Sequence, residues 1–177
     1  MKKTIVLSSI LILFNTALVL AQTTVKHAQI SFKIKNMGIG TGGTIGGLQA
    51  SVKFNPADLT ASTLDASVEV NTINTDNSMR DEHLRGEDFF DLAHYPKITI
   101  KSVSFKHKSG NNYSGIFDLT IKGKTKQVEV PFTYTDKGNT IILNGTFKLN
   151  RLDFGVGGSS LVMGNEVSVT VDAEMER

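Results

Sequence analysis

Residues 113–134 read YSGIFDLTIKGKTKQVEVPFTY, and this stretch decides the fold class. Apolar side chains occupy every second position from Tyr113 to Ile121 and again from Val128 to Tyr134. A two-residue period places successive side chains on opposite faces of a strand, so each half is predicted to be a half-buried β-strand. Lys122-Gly123-Lys124 separates the halves with a glycine-bearing turn, and the whole stretch predicts an antiparallel hairpin.

The same alternation recurs on both sides of this hairpin. Polar and apolar side chains alternate over six further stretches, which are predicted to be strands: residues 28–35, 48–55, 64–71, 98–101, 141–149 and 167–173. No long crossover of the kind that a parallel sheet requires is evident between them. The sequence therefore predicts an all-β protein with about eight antiparallel strands in up-and-down order.

Such a sheet has one apolar face, which it buries either by folding over as a sandwich or by closing into a barrel. Alternation alone does not separate these two architectures. Small residues at the positions assigned to the inner face favour a hollow interior; they are Ala50, Ala66, Gly115 and Gly145. A barrel of about eight strands is wide enough to be filled by its own side chains or to hold one slender ligand.

One segment, residues 75–86, breaks the alternation. It begins with residues that favour a helix N-cap and ends with Gly86, so it predicts a short helix in a connecting segment. The apolar side chains of Met79 and Leu84, with Phe89 and Phe90 just beyond, are predicted to cover one end of the sheet.

The N-terminus has the pattern of a secretory signal peptide, with Lys2 and Lys3 followed by an apolar run to Leu20. The predicted division is a signal peptide over residues 1–21 and one folded domain over residues 22–177. Without the leader, 17 basic side chains face 17 acidic ones, which argues against nucleic acid as a partner. No second apolar run of spanning length follows, so we expect a protein that is not integral to a membrane. The chain has no cysteine, and export without disulfides suits a bacterial envelope.

Several segments resemble the motifs of one known family. Residues 80–84 (RDEHL), 88–91 (DFFD) and 95–100 (YPKITI) follow one another with that family's order and spacing. Residues 115–126 (GIFDLTIKGKTK) and 150–157 (NRLDFGVG) are similar to two of its later motifs. The chain is thereby identified as resembling the YceI-like family over essentially all of residues 22–177.

This resemblance implies a lipocalin-like barrel that holds a polyisoprenoid, either a polyprenyl phosphate or an isoprenoid quinone, as a periplasmic carrier or reservoir. It also leaves room for a homodimer. The apolar side chains expected to contact such a lipid are Phe32, Val52, Val68, Met79, Leu84, Phe89, Phe90, Ile98, Ile100, Phe117, Leu119, Val130, Phe132, Phe147, Val167 and Val169. The side chains considered for the lipid head group are Lys35, Arg80, His83 and Arg85. The arginines have an alternative, structural role, since Arg80 and Arg151 have carboxylates nearby in sequence, Asp81 and Asp153, with which they would pin the helix against the barrel.

Two other classes of function stay open at this point. A metal-assisted or acid–base enzyme acting on a small amphiphile would need His83, Asp81 and His94, although no catalytic residue, metal site or cofactor is predicted. An envelope interaction protein would have its interior filled by side chains. Gly38, Gly40 and Gly43 match the spacing of a dinucleotide-binding loop, but a strand rather than a helix is predicted after them.

Overall fold

The computed structural model describes residues 23–176. Within this range one antiparallel sheet contains nine strands in the order β2-β1-β9-β8-β7-β6-β5-β4-β3. The strands are β1 (Thr24–Asn36), β2 (Ile39–Ile45), β3 (Gln49–Lys53), β4 (Thr63–Glu69), β5 (Lys97–Ser109), β6 (Asn112–Ile121), β7 (Lys124–Asp136), β8 (Thr140–Asn150) and β9 (Met163–Glu176). The predicted signal peptide, residues 1–21, lies outside the described residues.

The predicted all-β antiparallel class is confirmed, but the count of eight strands is wrong. The additional strand is β2, which pairs with β1 from Ile30↔Ile45 to Asn36↔Ile39. Its glycines interrupt the alternation of polar and apolar side chains, so periodicity did not predict a strand there. These glycines allow a close crossing, because a Cβ on Gly43 would collide with the carbonyl oxygen of Asn74 and come within 2.7 Å of Thr75 Cγ2.

The sheet curls into a half-barrel whose two edge strands, β2 and β3, are consecutive in the chain. Two contacts bridge the gap between the two sides of the sheet: Thr23 Oγ1, just before β1, accepts from the backbone N–H of Val52 on β3 at 3.3 Å, and Glu69 N–H on β4 donates to Gly46 O, just after β2, at 3.1 Å. The backbone ladder of the described residues does not join β2 to β3. The lipocalin-like curl is therefore present without a complete ring of paired strands.

The predicted short helix is confirmed as α1 (Ser78–Arg85). Asn77 caps its first turn, because its side chain accepts the N–H of Arg80 at 3.0 Å. The segment that contains α1 joins the end of β4 to the start of β5, which are paired through Glu69↔Lys97. The short 3-10 turn Arg151–Phe154 and the β1–β2 turn lie at the same end of the sheet, which we call the helix end.

The opposite end of the sheet, which we call the aromatic end, is filled by rings. Phe54 lies among Phe105, Tyr113, Phe132 and Tyr134, with ring centroids between 4.6 and 5.6 Å from its own. Ile141, Leu143, Ala173 and Met175 complete this cluster, and all four are buried. The aromatic rings of this cluster thus close one end of the interior, while a second cluster around Phe117 and Phe147 lies further along it.

Candidate functional site

The inner face of the curled sheet encloses a cavity of about 320 Å³. Its wall is nearly all apolar. Inward-facing side chains of all nine strands within residues 23–176 build it, together with Leu84 on α1 and with Phe89 and Phe90, which follow α1. On β9 the lining runs from Met163 to Met175, roughly 40 Å of strand at about 3.4 Å per residue. The lining therefore extends along most of β9, and the interior is apolar and not filled by its own side chains.

All of the predicted lipid-contacting residues line this cavity except Met79. Met79 lies on α1 but is 79% exposed. Leu84 follows it by five positions, which is about 140° around a helix of 3.6 residues per turn, so the two side chains point in different directions. The placement of Met79 over the sheet was wrong for this reason, while Leu84 packs against the cluster that contains Ile30 and Ile73.

The structure adds lining residues that were not singled out from the sequence. Most share the alternation of residues already chosen, so the same signal would have found them: Ile30, Ile34, Leu48, Leu64, Ile121, Leu143, Leu149, Val171, Ala173 and Met175. Ile45 and Val156 had no such signal, because they belong to glycine-rich stretches whose strand or loop geometry only the fold reveals.

Three of the four small residues predicted to face inward line the cavity. Ala50, Ala66 and Gly145 line the cavity and leave it wide. Gly115 does not, because the ring of Phe117 occupies the space where its Cβ would lie, and Phe105 Cδ1 is 3.1 Å from that point. The inference of a hollow interior from small residues therefore holds at three positions and fails at the fourth.

The two ends of the cavity differ in exposure. At the aromatic end Phe132, Leu143 and Met175 are buried, while Val52 on the edge strand β3 is partly exposed. At the helix end Asn36 is exposed, and Thr41, Arg80 and Met163 are partly exposed. The cavity is thus closed by rings at one end and reaches solvent at the end where α1 lies.

Arg80 is the head-group candidate that lines the cavity. Its Nε donates to Thr75 Oγ1 at 2.7 Å, and its Nη2 donates to the carbonyl oxygen of Thr75. Thr75 in turn donates its backbone N–H to Asp81 Oδ1 at 2.9 Å. Within residues 23–176 the Nη1 of Arg80 has no hydrogen-bond partner, so it keeps donors for a ligand.

Arg151 also lines the cavity, but its hydrogen-bonding capacity is used. Its three nitrogens donate to four carbonyl oxygens and to Asn165 Oδ1, including Nε to Gly164 O and Nη1 to Val156 O, both at 2.9 Å. Five N–H groups and five acceptors match the full donor set of a guanidinium. Burial lowers the pKa of Arg151 from its ordinary value, and the carbonyl oxygens take the place of a carboxylate. Asp153 is not among its partners, so the expected pairing was wrong and the structural role stands.

The remaining head-group candidates do not line the cavity. Lys35 is exposed on β1, where the side chains of Ile34 and Asn36 point inward instead. His83 is exposed and packs its ring on Phe89, with centroids 4.8 Å apart. Arg85 donates from Nη2 to Ile73 O at 2.9 Å and lies behind the wall.

Asp81, His83 and His94, which an enzyme would need together, each contact a different residue. Asp81 accepts hydrogen bonds from Thr75, His83 packs on Phe89, and the Nδ1 of His94 lies 2.8 Å from Asp91 Oδ1. The hydrogen bond and charge of Asp91 raise the pKa of His94. Across the described part of the chain, no group of three or more acidic or histidine side chains could hold a metal ion. Among residues 23–176, none of the helices has the length and hydropathy of a membrane-spanning segment.

A curled antiparallel sheet around an apolar cavity that opens at one end defines a lipocalin-like, all-β class of protein. Within that class, the chain belongs to the YceI-like family, because the model of the YceI-like domain matches residues 22–175.

The relatives agree with this assignment. A UPF0312 protein of Yersinia pestis (strain Pestoides F) is 34% identical over 115 residues, which is 64% of this chain and 59% of that protein. The chain thus spans about three fifths of the length of that relative. The crystal structure of Burkholderia cenocepacia BcnA is 28% identical, with a TM-score of 0.78 over 83% of this chain and 95% of that one. A polyisoprenoid binding domain from Saccharophagus degradans is 14% identical, with a TM-score of 0.68 over 87% of this chain and 97% of that domain, and it shows the shared fold.

Proposed function

We propose that this protein binds a polyisoprenoid in the cavity of its curled sheet and sequesters or carries that lipid. The observation that carries the proposal is the cavity itself, which is apolar, lined by residues of all nine strands of the described part of the chain, and accessible at the helix end. The Saccharophagus degradans neighbour, described as a polyisoprenoid binding domain, supports the same class of ligand. The proposal makes the protein a binder rather than a catalyst.

The tail would lie along the strands, with its far end against the rings at the aromatic end. Each buried methylene is worth roughly 0.8 kcal/mol, so a few isoprene units offset the cost of ordering the chain. The wall offers few polar groups, so selection depends on the girth and length of the tail. A branched, flexible hydrocarbon fits these requirements.

The head group would stay at the helix end beside Arg80. Its Nη1 can donate charge-assisted hydrogen bonds to a phosphate, or donate to a quinone carbonyl. Asn36 and Thr41 line the same end and add polar groups of short reach. Among the four predicted candidates, Arg80 alone combines a place in the wall with a nitrogen that lacks a partner within residues 23–176.

A plug in the cavity tests the tail site. Ala66 lines the wall between Ala50 and Ile100, its paired neighbours on β3 and β5. Ala66→Phe places a ring in the space of the tail and is expected to weaken polyprenol binding by about two orders of magnitude, since several ligand carbons lose their place. Ala57→Phe, in an exposed loop, is the matched control and should bind like the wild type.

The measurement is native mass spectrometry of protein purified from its own host, followed by binding of polyprenol, polyprenyl phosphate and an isoprenoid quinone to stripped protein. Absence of any copurified lipid, together with no uptake of all three ligands, would refute the function. Equal binding by Ala66→Phe and wild type would refute the site.

Arg80→Gln tests the head site. It should reduce affinity for polyprenyl phosphate about tenfold or more while changing affinity for the uncharged polyprenol little. The ratio of the two affinities separates a head-group contact from general loosening around Thr75, which would weaken both ligands. An unchanged ratio would remove Arg80 from the site.

The place of action belongs to the same proposal. A signal peptide over residues 1–21 would deliver the domain to the periplasm, where isoprenoid lipids must cross an aqueous space between membranes. N-terminal sequencing of the protein from a periplasmic extract is expected to begin at Gln22, and recovery of the intact chain from the cytoplasm would contradict this route.

A further inference from the structure

An apolar patch surrounds the open end of the cavity. Two loops form it, the β1–β2 turn and the segment before β9, and the backbone N–H of Met37 joins them by donating to Val162 O at 2.7 Å. Met37 is 75% exposed, Ile39 71% and Val162 54%, while Leu161 is fully exposed. We call these four residues the mouth patch.

Neither turn geometry nor burial explains the choice of Met37. Met37 and Gly38 both have positive φ, at 52° and 78°, as in the tight hairpin turns that favour Asn-Gly or Asp-Gly. An apolar, unbranched residue in the left-handed region is uncommon, and here its side chain points into solvent. Met37 is thus an apolar residue at a turn position where a polar residue such as asparagine would be more favourable for folding.

The mouth patch adjoins the cavity. Asn36 pairs with both Ile39 and Met163, and Asn36 and Met163 line the wall. Met37 and Val162 are therefore the chain neighbours of the lining residues Asn36 and Met163, at the end of the cavity where a ligand would enter. A surface that touches the patch would face the opening directly.

We propose that the mouth patch docks the protein on a lipid bilayer, so that lipid passes between the membrane and the cavity at the helix end. This inference rests on the lipid-binding function proposed above. Protruding aliphatic side chains insert into the headgroup–acyl boundary without needing a complementary shape. Lys33 and Lys35 are exposed on β1 behind the tips and form no ion pair within residues 23–176, so they are free to meet anionic head groups.

A second copy of the chain fits the patch less well. Stable protein interfaces bury about 800 Å² per partner from some 20–30 residues a side. Four side chains on two narrow tips are too few to supply such an area. The observations therefore favour a bilayer over a dimer, and the dimer becomes an outcome of the test.

The experiment uses vesicles of phosphatidylethanolamine and phosphatidylglycerol that contain a fluorescent polyprenol. Cosedimentation measures docking, and loss of fluorescence from the vesicles measures extraction. Met37→Asn, Ile39→Thr, Leu161→Ser and Val162→Thr combined should reduce both about tenfold or more, because the inserted apolar surface is lost. Leu161→Ser alone should reduce both less, and Val103→Ser, which removes a 52% exposed valine from β5, should change neither.

Uptake of the same polyprenol from detergent micelles keeps this inference separate from the proposed function. The mouth variant should take up polyprenol from micelles like the wild type, because its four residues do not line the cavity. Wild-type protein that fails to bind vesicles, or a mouth variant that docks and extracts as well as the wild type, overturns the bilayer proposal. Vesicle docking without uptake from either source overturns the lipid-binding function instead. A wild-type dimer that the mouth variant dissociates, with no change at vesicles, overturns the bilayer proposal in favour of self-association.

Discussion

Arg151→Met is expected to destabilise the fold through the acceptors that it abandons. Arg151 is 3% exposed and donates all five of its N–H groups to acceptors between Val156 and Asn165. These bonds hold the irregular segment before β9 against the helix end. Methionine preserves much of the apolar stem but donates nothing.

The magnitude follows from where those acceptors lie. Val156 is buried, so its carbonyl oxygen loses a donor that water does not replace, at about 1–3 kcal/mol. Gly158 and Asn165 are exposed and Gly164 is partly exposed, so water reaches these acceptors and each adds less. Removing a buried charge returns part of the cost. We expect the free energy of unfolding to fall by about 3 kcal/mol in total.

Arg85→Met is the control for losing an arginine at the same end of the molecule. Arg85 makes one bond, to Ile73 O, and its buried Nε has no partner within residues 23–176. The loss of this hydrogen bond is offset by the removal of an unsatisfied N–H group, so we expect the free energy of unfolding to fall by about 1 kcal/mol or less. Urea unfolding followed by circular dichroism measures both variants. A cost below about 1 kcal/mol for Arg151→Met, or equal costs for the two variants, would refute the hydrogen-bonding argument.

Three other outcomes are expected from the same structure. Gly43→Ala should cost about 1–3 kcal/mol, because its Cβ would strike the segment that crosses β2, whereas Gly40→Ala meets nothing within 4 Å and should be close to neutral in urea unfolding; equal costs would contradict the crossing. Phe54→Ala should cost about 3–5 kcal/mol by removing the central ring of the aromatic end, and a cost near that of an exposed site would contradict that role. The pKa of His94, measured by NMR titration, should lie above its ordinary value of about 6.5 and should fall in Asp91→Asn. Because the pKa is raised in the folded state, the ion pair with Asp91 contributes fully to stability below the unfolded pKa, and this contribution is lost as pH rises through the folded pKa. An Asp91→Asn variant with an unchanged His94 pKa would contradict the pairing.

The sequence was informative wherever side chains alternate. Phe117, Leu119, Val130 and Phe147 were assigned to one face from their spacing, and the structure places all four in the cavity wall. Burial of one face enforces the register of a strand, since a slip of one residue would expose the whole apolar set. Local pattern and global fold agree there, so simple periodicity was enough.

The sequence was uninformative where contacts come from distant or irregular backbone. Gly43 is needed because residues 74–75 cross β2, a contact between segments some thirty residues apart. The partners of Arg151 are carbonyl oxygens, which carry no signal in the sequence, so its neighbour Asp153 looked like the natural partner. The alternation also did not predict whether the sheet closes into a barrel, because it describes one strand at a time.

The unfilled interior is what distinguishes this curled sheet from one that packs a solid core. The rings of Phe54, Tyr113, Phe132 and Tyr134 cluster at the aromatic end, while branched aliphatic and phenylalanine side chains line most of the remaining wall around the small Ala66. In engineered cores an enclosed, unfilled cavity costs about 24 cal/mol per Å³; the cavity here holds about 320 Å³ and is open at the helix end, so this coefficient gives an upper bound on the stability forgone. Water recovers little of that against an apolar wall. Because ordinary domains are stable by only about 5–15 kcal/mol, a hydrocarbon that filled this void would stabilise the fold, and this is the stabilisation that the proposed lipid ligand would provide.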